Sequence, residues 1–215
     1  MIYWWLPRRG RVFLLILASY FFYASWDIRF LALLLTSTLV DFLGAVAIEG
    51  KKKSIWQVML MSTIPLAWLL FCSWTGMMQI SLLSLAAASG LMILLTFAHS
   101  FFWLFQEQTR RKAFVIFSIM TNLTILGFFK YFNFFADSTR NLLGSLGIQA
   151  GWVLPEIILP VGISFFTFQT LAYVIDVYRK QQSACEDFPI YAIYLSFFPQ
   201  ILAGPIGRAP QLIPQ

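Results

Sequence analysis

Long apolar runs separated by short polar breaks set the pattern of this chain. Val12 to Trp26 carries no charge and leads into the break Asp27-Ile28-Arg29. Phe30 to Ile48 is a second run, interrupted only by Asp41. A membrane-crossing helix needs about 20 mostly apolar residues. The charge-free stretch from Ser54 to Gln106 is long enough for two, near Ile55–Trp74 and Ile80–Phe105, with Thr75-Gly76-Met77-Met78-Gln79 as the turn. Ala113 to Phe129 is a fifth span. Ala136 to Glu156 holds Gly144, Gly147, Gly151 and Pro155 and reads as an extramembrane loop with room for a short amphipathic helix. Pro160 to Ile175 is a sixth apolar segment, entered through a proline at a first-turn position. After the polar loop Asp176 to Asp187, Phe188 to Leu202 is a seventh segment, short, interrupted by Pro199 and broken by Gly204-Pro205. The expected fold is all-α: a polytopic transmembrane helical bundle of about seven segments, the last ones short or broken. Residues 1–215 form a single membrane domain.

Composition agrees. Hydrophobic residues make up 60% of the chain and charged residues 11%, against about 25% charged in a soluble domain. Mean hydropathy is +0.76. A soluble fold of this size would leave many of its 23 Phe and 8 Trp in water.

The net charge of +6 raises the question of nucleic acid. The placement of the charges argues against it. Basic residues cluster between apolar runs, at Arg8, Arg9 and Arg11, at Lys51 to Lys53, and at Arg110 to Lys112. Paired hairpins put all three clusters on one side, which the positive-inside rule makes cytoplasmic. Asp27, the Gly76 turn and the loop from Ala136 then lie outside, and Lys130 snorkels at the outer end of its span. The lipid bilayer is the expected partner, and nucleic acid is not. The apolar run after Arg11 lacks a small-residue cleavage site and does not read as a cleavable signal.

Chemistry is sparse. Cys72 and Cys185 have no partner in a metal-ligand spacing, and a single histidine cannot complete a zinc site. No metal site and no bound cofactor are expected. On a helix from Leu159 to Lys180, Gly162, Phe166, Gln169, Tyr173, Asp176 and Lys180 fall within one stripe. A polar stripe on a membrane helix faces a protein interior or a watery cavity. It serves either as glue between helices through Gln169 and Tyr173 or as the wall of a substrate tunnel. SFFPQILAGPIGR, Ser196 to Arg208, is a broken helix, which at membrane depth is tolerated where protein buries it or a cavity solvates it. Asp41 is an intramembrane carboxylate, a functional candidate by default, with a structural hydrogen bond to a neighbouring helix as the favoured role. His99 has no visible partner and reads as a packing residue.

Several stretches together resemble the membrane-bound O-acyltransferase family, in its bacterial subgroup of alginate O-acetyltransferases and teichoic-acid D-alanyl transfer proteins. They are LPRRGRVFLLILASYFFYASWDIRFLALLLTSTLVDF (Leu6 to Phe42), LGFFKYFNFF (Leu126 to Phe135), LPVGISFFTFQTLAYVIDVYRK (Leu159 to Lys180) and LSFFPQILAGPIGRAPQLIPQ (Leu195 to Gln215). The last two match in order and spacing as well as in residues. The resemblance implies transfer of an acyl group, in this subgroup acetyl, from a cytoplasmic thioester donor to a hydroxyl of an exported polysaccharide or cell-envelope polymer. It also implies location in the bacterial inner membrane and acyl-carrier or envelope O-acetylation proteins as partners. Phe166, Gln169, Tyr173 and Asp176 would line or buttress a tunnel, and Gln200, Gly204 and Pro205 would shape a re-entrant wall. Residues 54–106 look like a two-helix insertion relative to compact members. Family members continue beyond the LAGPIGR segment, and their essential histidine lies there. This chain is therefore expected to be a fragment, a truncated frame or a degenerate copy without that histidine, since His99 falls outside the matched motifs. The alternatives are a transporter or channel fragment, which would use the same stripe and broken helix, and a non-catalytic membrane scaffold.

Overall fold

The computed structural model describes residues 2–76, 82–146, 157–204 and 209. Among them are ten helices and no strand. A single turn, α1 (Ile2–Trp5), precedes the hairpin of α2 (Arg8–Trp26) and α3 (Ile28–Ile48). Asp27 makes this hairpin. Its extended backbone ends α2, and its carboxylate caps α3 by accepting from the Arg29 N–H at 2.9 Å. The same carboxylate takes Nε and Nη2 of Arg29 at 3.0 and 2.6 Å. That hydrogen bonding to Arg29 holds Asp27 below the usual carboxylate range.

Helix α3 is apolar around nearly its whole circumference, and almost every residue from Phe30 to Ile48 is buried. It forms the centre of the bundle, packed against α2 and against the later helices.

The span Ile55–Trp74 is two helices, α4 (Ile55–Ser62) and α5 (Ile64–Trp74). Ser54 and Gln57 start it with a reciprocal capping box. Pro65 breaks it, because a proline has no N–H for the carbonyl of Met61. Hydropathy alone concealed that break. Gly76 then ends the span with φ +71°. Most of the expected turn that follows, and the first residues of the next expected span, lie outside the described residues. Helix α6 is Leu82–Phe102.

Helix α7 (Glu107–Ser145) corrects the sequence reading. Its 39 residues reach about 58 Å at 1.5 Å per residue, roughly twice the hydrocarbon thickness. Residues 136–145 continue the helix and are not a loop. They carry no proline, their first glycine is Gly144, and Asp137 pairs with Arg140 one turn on at 3.7 Å. Residues 147–156 of the expected loop are outside the described set.

Helix α8 (Ile163–Tyr178) is entered through Gly162 in the left-handed region, φ +72°, and not with Pro160 in its first turn. A β-carbon on Gly162 would collide with Ile201, so both the backbone and the packing require glycine. The last segment is α9 (Phe188–Ser196) and α10 (Phe198–Ala203). They are parted at Phe197, because Pro199 cannot continue the hydrogen-bond ladder of α9.

By length and apolarity, α3, the α4–α5 unit and α7 can each cross a membrane. Ala88–Phe102, α8 and Phe188–Ile201 are shorter apolar helices. Helix α2 has the length, but its first turn holds Arg8, Arg9 and Arg11. The outer faces are apolar: Phe21, Leu60, Ile116 and Phe168 are all exposed on the surface. The molecule is an all-helical membrane bundle around α3.

Two of the basic clusters meet at one end of this bundle. Lys51 Nζ pairs with Glu49 and Glu186, both at 2.6 Å. Lys52 and Arg110 lie over the Trp103 ring at 5.5 and 4.2 Å. Arg111 Nη2 donates to the Tyr178 carbonyl at 2.7 Å.

Candidate functional site

Among the described residues one carboxyl group is buried, and three helices build its surroundings. Asp41 of α3 is fully buried. Its oxygens accept from Nδ2 of Asn122 on α7 at 2.8 and 3.0 Å and from the Ser118 hydroxyl, one turn earlier on the same helix. Ser37, one turn before Asp41, donates to Asn122 Oδ1 at 2.7 Å. Ser37/Asp41 and Ser118/Asn122 are i, i+4 pairs, so each pair presents one polar patch on an otherwise apolar helix. Gly44, about a turn further along α3, faces the same Ser118 of α7. Thr170 of α8 faces the same carboxyl. The carboxylate is therefore saturated with donors and ties α3 to α7.

Beside it lies the polar stripe of α8. Phe166, Gln169 and Tyr173 are each 1% exposed. Gln169 Nε2 donates to the Tyr194 carbonyl on α9 at 3.0 Å. The Tyr173 ring lies tilted against Tyr191 with centroids 4.8 Å apart, and its oxygen accepts from the Cys185 N–H at 2.8 Å. Tyr191 in turn lies against Phe42 at 5.9 Å, next to Asp41 in the chain. Residues from four helices, α3, α7, α8 and α9, thus form one buried polar seam. Along it, Thr167 Oγ1, Gln169 Oε1, Tyr191 Oη and Ser196 Oγ are buried with no partner among the described residues. Buried polar atoms of this kind are met by ordered water or by a polar ligand.

The sequence-derived residues divide accordingly. Gln169 and Tyr173 line the seam with Asp41 nearby, while Phe166 packs in an apolar cluster with Phe30, Ile163 and Ile201. Asp176 sits at the rim, half-buried. Gln200, also half-buried, lies on α10, and Gly204 stands at its end. There Gly204 is sterically required, since a β-carbon would come within 2.7 Å of Gln200 Cα. The stripe was expected to pack on the Gln200–Gly204 segment. Gln169 instead bonds α9, and α10 meets the start of α8 through Ile201, which lies against Gly162 and shares an apolar cluster with Ile163 and Phe166. Pro205 lies outside the described residues. His99 is far from this seam in its bonding: Nε2 accepts from Trp103 Nε1 at 3.2 Å, and the ring lies 6.0 Å from that of Phe114. Among the described residues no group of three His, Cys, Asp or Glu could hold a metal ion.

Sequence reasoning missed Ser37, Ser118 and Asn122, although their i, i+4 spacing was visible. It also missed Asn133, inside the LGFFKYFNFF stretch. Its amide donates to the Ile157 carbonyl at 2.8 Å and accepts from the Ile157 N–H at 3.0 Å, clamping the strap that leads to α8.

No family model matches the chain, and no solved structure matches it significantly. Curated relatives do. The chain is 29% identical over 215 residues to the probable alginate O-acetylase AlgI of Pseudomonas aeruginosa, covering 100% of this chain and 31% of that protein. It is 27% identical over 225 residues to a peptidoglycan O-acetyltransferase of Helicobacter pylori, covering 94% of this chain and 32% of that protein. A probable alginate O-acetylase of Pseudomonas fluorescens is 35% identical over 79 residues, 37% of this chain. The chain spans about a third of the length of the first two. It therefore resembles, from end to end, the N-terminal part of the membrane-bound O-acyltransferases.

Proposed function

We propose that the chain is the N-terminal membrane portion of an O-acyltransferase that moves an acyl group, acetyl by likeness to its relatives, from a thioester donor to a hydroxyl of an exported polysaccharide or envelope polymer. The observation that supports this reading is the buried polar seam between α8 and α9, with four oxygens that have no partner among the described residues. Polar atoms there suit a hydrated path for a hydroxyl-bearing acceptor better than contact with lipid. In this reading Gln169, Tyr173 and Phe166 shape the path, Asp176 sits at its rim, and Gln200 and Gly204 belong to the neighbouring wall. Asp41 holds α3 and α7 in register behind it. The basic end of the bundle faces the cytoplasm of a bacterial inner-membrane, multi-pass protein, where a thioester donor or an acyl-carrier protein would approach. Deprotonation of the acceptor hydroxyl falls to a histidine in the part of the relatives that this chain does not span. His99 is not that base, since its Nε2 lone pair is engaged by Trp103.

The test is the O-acetyl content of exported polymer in cells that depend on the full protein. Gln169→Leu should leave the protein in the membrane at normal amounts and lower O-acetylation at least tenfold, roughly the effect of displacing a bound group by a fraction of an ångström. Loss of the protein itself would favour helix glue over a path. Normal O-acetylation at normal amounts would refute the path.

A further inference from the structure

A second feature lies alongside α3. A partly open crevice of about 950 Å³ runs between α3, α5, α6 and α7, at the upper end of the range for ligand-binding pockets. Its wall is mostly aliphatic and aromatic, with Leu69, Leu95 and Phe129 among its residues. Arg29, beside the Asp27 cap, stands at one end, and Thr36, about 10 Å deeper on α3 at 1.5 Å per residue, lines the same wall.

Two observations point to an occupant. The Ser62 hydroxyl, at the Pro65 break, is buried in this wall and has no partner among the described residues. It is a donor that hydrocarbon cannot satisfy and a carbonyl can. Arg29 uses Nε and Nη2 on Asp27, and Nη1 makes no bond among the described residues, while the side chain is 56% exposed. A crevice with apolar walls at membrane depth is costly to leave unfilled. We infer that it is a lipid site that takes a hydrocarbon chain of a membrane phospholipid, with the phosphate beside Arg29 and the Ser62 hydroxyl turned toward an ester carbonyl. The wall supplies dispersion contact, the guanidinium supplies charge-assisted hydrogen bonds, and Ser62 loses its orphan status.

The protein reconstituted in vesicles with a phospholipid bearing a diazirine near the end of one acyl chain tests this. Irradiation followed by peptide mass spectrometry should place adducts on the Leu69, Leu95 and Thr121 peptides at several times the yield at the outward-facing Ile116 and Phe168. Ala88→Trp or Leu91→Trp, two independent ways of filling the crevice, should remove the first set of adducts and keep the second. Diacylglycerol with the same labelled chain should label the crevice several-fold less, and Arg29→Gln should bring phospholipid labelling down to that level. Equal yields inside and outside, or no adducts on the crevice peptides because protein covers it, would overturn the lipid site. Equal labelling by phospholipid and diacylglycerol would overturn the phosphate at Arg29.

Discussion

Asn122 joins α7 to Asp41 of α3: its Nδ2 lies 2.8 and 3.0 Å from the two carboxyl oxygens, which share one amide hydrogen, while the other goes to the Ser118 carbonyl at 3.0 Å. Asn122 thus bonds both oxygens of the buried carboxyl, beside the hydroxyl donors. Asn122→Leu leaves Asp41 with hydroxyl donors alone, and an under-satisfied buried polar group costs about 1–3 kcal/mol. Thermal unfolding in detergent should show that loss. The double variant Asp41→Leu/Asn122→Leu should be less destabilised than the sum of the singles, because it removes both partners together. Additive losses would mean that the pair does not couple.

Gly162 and Ile201 join α8 to α10. Gly162→Ala adds a β-carbon where φ is +72° and Ile201 is in the way. Left-handed strain alone is worth roughly 1–2 kcal/mol, and the collision adds to it. Ile201→Ala in the same background should recover only the steric part, so the double variant should unfold between the Gly162→Ala single and the parent. Full recovery would show that backbone strain plays no role.

Asp27 caps α3 and holds Arg29. Asp27→Ala should cost about 1 kcal/mol, the usual worth of a side-chain cap, and Asp27→Asn less. The pH dependence has a definite sign. The carboxyl titrates below its ordinary value because of Arg29, so the folded state binds the proton less readily than the unfolded chain. The contribution is complete above the usual carboxylate range and fades as the pH falls through the lowered value. Acid unfolding of the parent and of Asp27→Asn should converge below about pH 4. A gap that widens in acid would reverse the assignment.

Topology can be read from cysteine accessibility in intact cells. Lys52→Cys sits at the basic end of the bundle and should resist an impermeant thiol reagent. Asp137→Cys, on the far extension of α7, should react with it. Labelling at position 52 would invert the orientation.

His99→Ala should leave O-acetylation by the full protein unchanged within about twofold, the size of effect expected when no proton-transfer step is lost. Loss of transfer at normal protein levels would place His99 in the reaction.

Much of this was legible in the order of the residues. Apolar runs located the helices, since a bilayer demands internally bonded segments of fixed length. Hairpin arithmetic brought Lys51–Lys53 and Arg110–Lys112 to the same end, where the Lys52–Trp103–Arg110 stack now joins them. The period of α8 put Phe166, Gln169 and Tyr173 on one face. Periodicity names a face, however, and not what the face meets. Only the tertiary structure decided that Gln169 bonds the Tyr194 carbonyl of α9, that Asp41 is held by Asn122 and Ser118, and that α7 runs on through residues 136–145. The reason is physical. In a bilayer, apolar faces gain little by choosing one another over lipid, so small residues and polar pairs select the partner. Such pairs are two or three side chains, separated by tens of residues, whose meeting no local pattern encodes.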